Sequence, residues 1–324
     1  MTDGPADSGL AASVVIPTKD RETRLAFALE ALAAQSLDRG RFEVVVVRAP
    51  HPAGTALCES PAGLNVRFLD SPVAAPAAQR NLGWRAASAQ LVAFTDDDCR
   101  PSAQWLEALV NAAGGDKLML QGRTEPDPDE EHLYWGLARS WSITRENGWY
   151  ATCNMAYPRA LLERVGGFDE AFPAAWGEDT DLGLRARGMG ARQRYVDEAL
   201  TWHAVLPRSL PAALREARRR DATVTVVARH PEHRSELHRG YFAQVARGFH
   251  GVATDGPPIV PLDRNLPEIA RTRGNRPDAR AAGAEVTGRR AERTNARDRV
   301  RRCVSTGAPF QGTTGRLRID PAPF

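Results

Sequence analysis

The chain has 324 residues, is 42% hydrophobic and 26% charged, and carries a net charge of only +3. That profile is that of a soluble globular chain, with much of the positive excess after residue 270, while the length admits one large or two small domains. The first residues have neither a basic n-region nor an apolar core, and no apolar run approaches the ~18 residues of a spanning helix. A secreted or membrane-spanning protein is therefore not expected. Cys58, Cys99, Cys153 and Cys303 show no C-x-x-C spacing and read as reduced cytosolic thiols.

Residues 1–10 read as a flexible arm. Residues 13–17 (SVVIP) give a strand signal, the polar turn Thr18-Lys19-Asp20-Arg21 follows, and residues 22–36 place Leu25, Leu29, Leu32 and Ala33 at helical spacing. Residues 42–47 (FEVVVV) form a second strand whose nearly continuous β-branched run predicts burial on both faces, as in a parallel sheet. Strand, helix and strand in this order predict a right-handed βαβ unit. A third short strand is expected at 66–69, a helix at 76–89 and a buried strand from 91 to 94 that runs into Asp96-Asp97-Asp98.

Ligands of such sheets bind outside the carboxyl ends of the strands, which is where these three carboxylates fall. If the extended geometry persists, Asp96 and Asp98 share one face and Asp97 takes the other. Two carboxylates on one face with no lysine between them suit a hard divalent cation such as Mg²⁺ and, with it, a diphosphate. A solvated acidic turn ahead of Pro101 is the alternative.

Further on, 101–113 reads as a helix with Trp105, Leu106 and Leu109 on one face, 118–122 as a strand, and 158–165 as a short helix stopped by Gly166-Gly167. The stretch 134–150 holds Tyr134, Trp135, Trp141, Trp149 and Tyr150, either core aromatics under a long loop or a stacking surface for a sugar ring. Residues 177–182 (GEDTDL) open an amphipathic helix through Leu182, Leu184 and Ala186, where free N–H groups and the helix dipole favour negative charge. Acidic residues there are caps more often than catalysts. A strand at 194–196 leads to Thr201-Trp202-His203. The pattern from 206 to about 270 is helical and basic, and 271–324 reads as an Arg-rich disordered tail, since residues 271–302 hold eleven arginines and little to bury.

Taken together, these groups resemble the family 2 glycosyltransferases, inverting enzymes of the GT-A fold: a mostly parallel α/β sheet flanked by helices, here with a C-terminal helical extension. The resemblance covers residues 11–205 and rests on order and spacing. Its marks are Pro17-Thr18 with Asp20-Arg21, Arg80-Asn81-x-Gly83, Asp96-Asp97-Asp98 with Pro101 and Trp105-Leu106, and Asn154-Met155-Ala156. Gly166-Gly167-Phe168-Asp169 and Glu178-Asp179-x-Asp181-Leu182-x-x-Arg185 complete the set.

What the resemblance implies is a transfer from a nucleoside-diphosphate sugar to an acceptor hydroxyl on a glycan, a lipid-linked or a small molecule, assisted by Mg²⁺ or Mn²⁺. It implies Asp98 as the direct metal ligand, Asp96 beside it on the sugar–ribose side, and His203 at the metal or diphosphate. Pro17, Thr18, Asp20, Arg21, Arg80 and Asp97 fall at the nucleotide sugar, Asp179 at the general base with Glu178 beside it, and Asn154, Trp176 and Asp181 on the acceptor side. One departure stands out: the second strand runs into Arg48-Ala49-Pro50 where the family carries acidic residues for the base and ribose, with Asp70 as a substitute. A pseudoenzyme that binds nucleotide sugar without turnover is the alternative, and a nucleotidyltransferase a weaker one, because PTKDR lacks the glycines of a phosphate loop. Nucleic-acid binding by the tail would be unspecific and salt-dependent. The basic helices after 210 would lie either against anionic lipid at the inner membrane face or in solvent.

Overall fold

The structure is a computed structural model that describes residues 9–172, 174–218 and 221–232. The expectations for the first eight residues, for 233–270 and for the Arg-rich tail lie outside these. The first half runs β1 (Ala12–Thr18), α1 (Glu22–Ala33), β2 (Phe42–Arg48), β3 (Val66–Asp70), α2 (Pro76–Ala86), β4 (Leu91–Thr95), β5 (Cys99–Pro101) and α3 (Trp105–Ala112). Then come β6 (Leu118–Pro126), β7 (Asn154–Pro158), α4 (Arg159–Val165), α5 (Glu178–Gly188), β8 (Arg192–His203), α6 (Leu210–Arg218) and α7 (Asp221–Arg229). None of the described helices is long and apolar enough to cross a membrane.

The described strands form one sheet in the order β3-β2-β1-β4-β7-β6-β8-β5. The β1–β4 half is parallel, in register from Ala12↔Phe42 to Thr18↔Arg48, so the strand ends at Thr18, Arg48, Asp70 and Thr95 share one edge of the sheet. Alternate residues of β1 and β2 enter different cores. Val14, Ile16, Val44 and Val46 pack with Leu25, Leu29 and Leu32 of α1 and with Trp105, Leu106 and Leu109 of α3. Val15, Val45 and Val47 pack with Trp84 of α2, Leu161 and Leu162 of α4, and Leu182 of α5. An alternating strand cannot supply apolar residues to both sides, and FEVVVV can. Gly83 explains how closely α2 lies on the sheet: a Cβ there would collide with Val15 Cγ1.

The antiparallel half departs from the expectations. β6 runs on to Pro126, and β8 is a single strand of twelve residues that pairs with β6 through a bulge between Gly122 and Thr124. The bulge leaves two carbonyls without ladder partners. Asn154 supplies them, donating Nδ2 to Arg123 O (2.7 Å) and Ala199 O (2.9 Å), while its Oδ1 accepts from Trp105 Nε1 at 2.8 Å. Asn154 is wholly buried and spends its amide inside the sheet. The expectation that it meets an acceptor is corrected: its role is to satisfy the bulge.

Candidate active site

The acidic run does not continue as a strand. Asp96, Asp97 and Asp98 form a tight turn between β4 and β5, closed by Cys99 N–H on Asp96 O at 3.1 Å. The expected alternation of faces is therefore lost, and Asp97 and Asp98 share one cation, Arg21, whose Nη1 lies 3.1 Å from Asp97 Oδ1 and 2.5 Å from Asp98 Oδ2. Thr18 Oγ1 also donates to Asp97 Oδ2 at 2.8 Å, so Asp97 ties the end of β1 to the turn. Burial, with Asp98 beside it, pushes the Asp97 carboxyl up to about 7 against the pull of Arg21 and Thr18.

His203 arrives through register. β5 and β8 pair antiparallel with Cys99 opposite His203, and Ala204 N–H donates to Asp98 O at 2.9 Å. His203 Nδ1 lies 2.9 Å from Ala204 O, an arrangement that puts the proton on Nδ1 and leaves Nε2 facing Asp98 Oδ1 at 3.7 Å. In a neutral ring these are two acceptors pointed at each other, too far apart to share a hydrogen bond and close enough to share an ion. Burial opposes ionisation of Asp98, but the positive charge around it, from His203 when its ring is charged and from Arg21 and Arg139, outweighs it and holds the carboxyl below its ordinary value. Cys99 completes a cluster whose ligand atoms lie within 4.8 Å of one another. Burial and then a hydrogen bond with Cys153 push its thiol far up, so it stays protonated. The Asp98 carboxylate and the His203 imidazole, side by side, can hold a divalent cation.

Across the cleft stands α5. Gly177, with φ 88°, turns the chain into the helix, and Glu178 reaches back to accept from Trp176 N–H at 2.7 Å. Arg80, almost wholly buried in α2, divides its guanidinium between Asp96 Oδ1 (2.8 Å) and Glu178 Oε1 (2.9 Å). This one side chain sets the distance between the acidic turn and the helix start. Glu178 thus ties the helix start to Arg80 and, through it, to Asp96. Asp179, half-buried and facing the cleft, accepts from Thr180 N–H at 2.8 Å. Burial first and then Glu178 raise its carboxyl to about 7, against Arg80.

The cleft between them measures about 560 Å³ and is lined by Pro17, Thr18, Arg21, Arg80, Asp96–Asp98, Trp176, Glu178, Asp179 and His203, which brings most of the expected residues together. Three do not reach it. Asp20 is exposed, with a left-handed φ of 54°. Asn154 is in the sheet, and Asp181 is buried behind α5, bonded to Arg185 Nε (2.7 Å) and His230 Nε2 (2.9 Å). An acceptor role for Asn154 and Asp181 is withdrawn on this ground. Arg48 also turns away: it donates to Cys58 O at 2.6 Å and lies 3.9 Å over the Phe68 ring. The wall beside the β2 end is instead Pro17, Ala74, Pro76 and Gln79, and Asp70 does not line it. The aromatic stretch divides, with Tyr150 in the core, Trp135 exposed, and Trp141 and Trp149 lining the cleft, Trp141 lying 6.3 Å from Trp176.

Sequence reasoning gave no role to Asn81, Arg139 or Glu216. Asn81 has a signal, its place in Arg80-Asn81-x-Gly83. It accepts from Phe168 N–H and Trp84 Nε1 and donates to Phe168 O, each at 2.9 Å, which fastens the Gly166–Asp169 loop to α2. Arg139 and Glu216 line the cleft from a loop and from α6, and no spacing in the chain announces either.

Comparison with known proteins agrees with this geometry. Residues 13–169 match the model of glycosyl transferase family 2. The chain is 30% identical over 217 residues to validoxylamine A glucosyltransferase of Streptomyces hygroscopicus subsp. limoneus, covering 55% of this chain and 48% of that protein. It is 27% identical over 207 residues to glycosyltransferase AglE of Haloferax volcanii, covering 60% of this chain and 67% of that one. The chain thus spans about half the length of the first relative and two thirds of the second. Among solved structures, the mannosyltransferase PcManGT of Pyrobaculum calidifontis, in complex with GDP-Man and Mn²⁺, superposes with a TM-score of 0.51 at 19% identity, over 71% of this chain and 68% of that one. That likeness is one of fold, and the mixed α/β sheet is of the GT-A type.

Proposed function

Residues 13–169 are a family 2 glycosyltransferase domain, and from that premise we propose that the chain moves a sugar from a nucleoside-diphosphate sugar to an acceptor hydroxyl with inversion, in one displacement. The observation that carries this reading is Arg80. By holding Asp96 on one side and Glu178 on the other, it sets a base-bearing helix start opposite a diphosphate-type acidic turn, with one cleft between them.

Asp98 and His203 would hold Mg²⁺ or Mn²⁺, which supplies charge neutralisation for the leaving diphosphate. The remaining work belongs to side chains. Asp179, poised near neutrality, takes the proton of the acceptor hydroxyl as that oxygen attacks the anomeric carbon, for which it needs a reach of roughly 2.6–3.2 Å. Asp96 and Arg80 orient the donor sugar. Pro17, Ala74 and Pro76 offer the base apolar walls, and Trp141, Trp149 and Trp176 offer an acceptor ring stacking faces. A glycan and a lipid-linked sugar present such a ring, as does any small-molecule acceptor built on one.

The test is nucleoside-diphosphate release from UDP-, GDP- and dTDP-sugars with Mn²⁺ or with EDTA, for the wild type and Asp98→Ala. Metal-dependent release lost in the variant supports the reading. Turnover unaffected by Asp98→Ala and by Asp179→Asn would remove both residues from the mechanism.

A further inference from the structure

Among the described residues, three guanidinium groups line the cleft, those of Arg21, Arg80 and Arg139, and they differ in what holds them. Arg21 is committed to Asp97 and Asp98, and Arg80 to Asp96 and Glu178. The Arg139 backbone is fixed just past β8, where it exchanges hydrogen bonds of 2.9 and 2.8 Å with Leu206. The neighbouring Ser140 Oγ donates to His203 O at 2.9 Å. The Arg139 side chain thereby lines the same cleft as Asp98 and His203. Its Nη1 meets Glu216 Oε1 at 3.0 Å, and its Nε is buried with no partner. Glu216, on α6, has a second cation, Arg208, whose Nη1 lies 2.8 Å from its other oxygen.

We propose that Arg139 binds the diphosphate of the donor and that Glu216 holds it in waiting until the donor arrives. The inference rests on the glycosyl-transfer reading and names a binding residue of that same cleft. A phosphate group is the better partner for a guanidinium fork, since it accepts two parallel N–H bonds and carries more charge than one carboxylate. The exchange leaves no charge stranded. Glu216 keeps Arg208, Arg139 gains phosphate oxygens, and its unpartnered Nε gains an acceptor. Arg21 and Arg80 cannot make the same exchange without uncovering buried carboxylates, which is costly.

The experiment is titration calorimetry of the full chain with UDP, GDP and inorganic pyrophosphate in the presence of Mg²⁺, each variant first shown to melt cooperatively. Arg139→Ala should weaken binding roughly 10- to 100-fold, the loss of one charge-assisted contact, with Arg139→Lys in between because a point charge lacks the fork. Glu216→Gln should tighten binding several-fold by freeing Arg139, and this gain should vanish in the Arg139→Ala background. A structural role alone would shift melting but leave diphosphate affinity in place. Unchanged affinity in Arg139→Ala, or a Glu216→Gln gain that persists without Arg139, overturns the proposal while leaving the glycosyl-transfer reading standing. Absence of binding to the wild type for all three probes overturns both. Should Arg139→Ala not fold, Arg139→Lys with and without Glu216→Gln makes the same comparison.

Discussion

Replacing Asp179 by Asn tests the electrostatics of the proposed base without reference to any substrate. The folded protein holds this carboxyl at about 7 against an ordinary value of 3.8, so between those values the native state binds a proton that the unfolded chain has released. Stability contributed by this group therefore falls as pH rises from about 4 to 7 and stays low above it. A shift of three units corresponds to about 4 kcal/mol at 1.36 kcal/mol per unit. That is an upper figure, because Glu178 shares the titration and the Asp179 side chain still meets water in the cleft. Asn removes the charge but turns an NH₂ toward one of the backbone N–H groups that the carboxylate accepts from, at a cost of about 1 kcal/mol. The expected outcome at pH 8 is a gain of about 1–2 kcal/mol, or roughly 2–8 °C in melting temperature for a domain of this size. At pH 5 the gain should shrink to nothing or reverse. The assay is thermal unfolding of both proteins across pH 5–8 in EDTA. A difference in melting temperature that does not change with pH would refute the reasoning, because Asp179 would then carry the same charge folded and unfolded at every pH.

The same proton appears in turnover. With Asp179 as base, kcat/KM for the donor–acceptor pair should rise tenfold per pH unit below about 7 and level off above it, and a flat profile from pH 5 to 8 would assign the proton transfer elsewhere. Asn154→Ala strips acceptors and donors from Arg123 O, Ala199 O and the Trp105 indole. It should cost about 2–4 kcal/mol in urea unfolding while the folded fraction keeps its KM for acceptor, and a selective rise in that KM would return Asn154 to the cleft. Gly83→Ala should destabilise by about 1–3 kcal/mol through its collision with Val15, read as an earlier denaturation midpoint with no change in slope.

Much of the fold was legible because the parallel half of the sheet writes itself in one dimension. FEVVVV admits hardly any placement but a strand buried on both faces, and Leu25, Leu29 and Leu32 mark one helical face. The antiparallel half was less legible. Asn154 opens β7 with a polar residue that no strand period predicts, because its partner is a bulge formed by residues far off in sequence. The cleft divides the same way. Asp96, Asp98, Arg80 and Asp179 stand in short motifs, whereas the turn that lets Asp97 and Asp98 share Arg21 arises from β5 pairing with β8. Arg139 and Glu216 meet only after a loop and α6 have packed, and a lone Arg or Glu in a chain rich in both carries no local signal. Asp181 shows the converse: it sits inside the motif and yet faces His230 behind the helix.

The pairing of β5 with β8 also sets a timetable. Asp98 is made early and His203 late, and at a synthesis rate of about 5–20 residues per second the ribosome needs roughly 5–20 s to travel between them. During that interval the β1–β4 half can already fold, but the acidic turn lacks its imidazole and β6 lacks the neighbour that covers its edge. A nascent chain at that stage has an unpartnered acidic turn and an open strand edge, which is a template for wrong pairing. Arrival of β8 closes both in one movement, so a chain that stalls before residue 203 leaves Asp98 without the imidazole it faces.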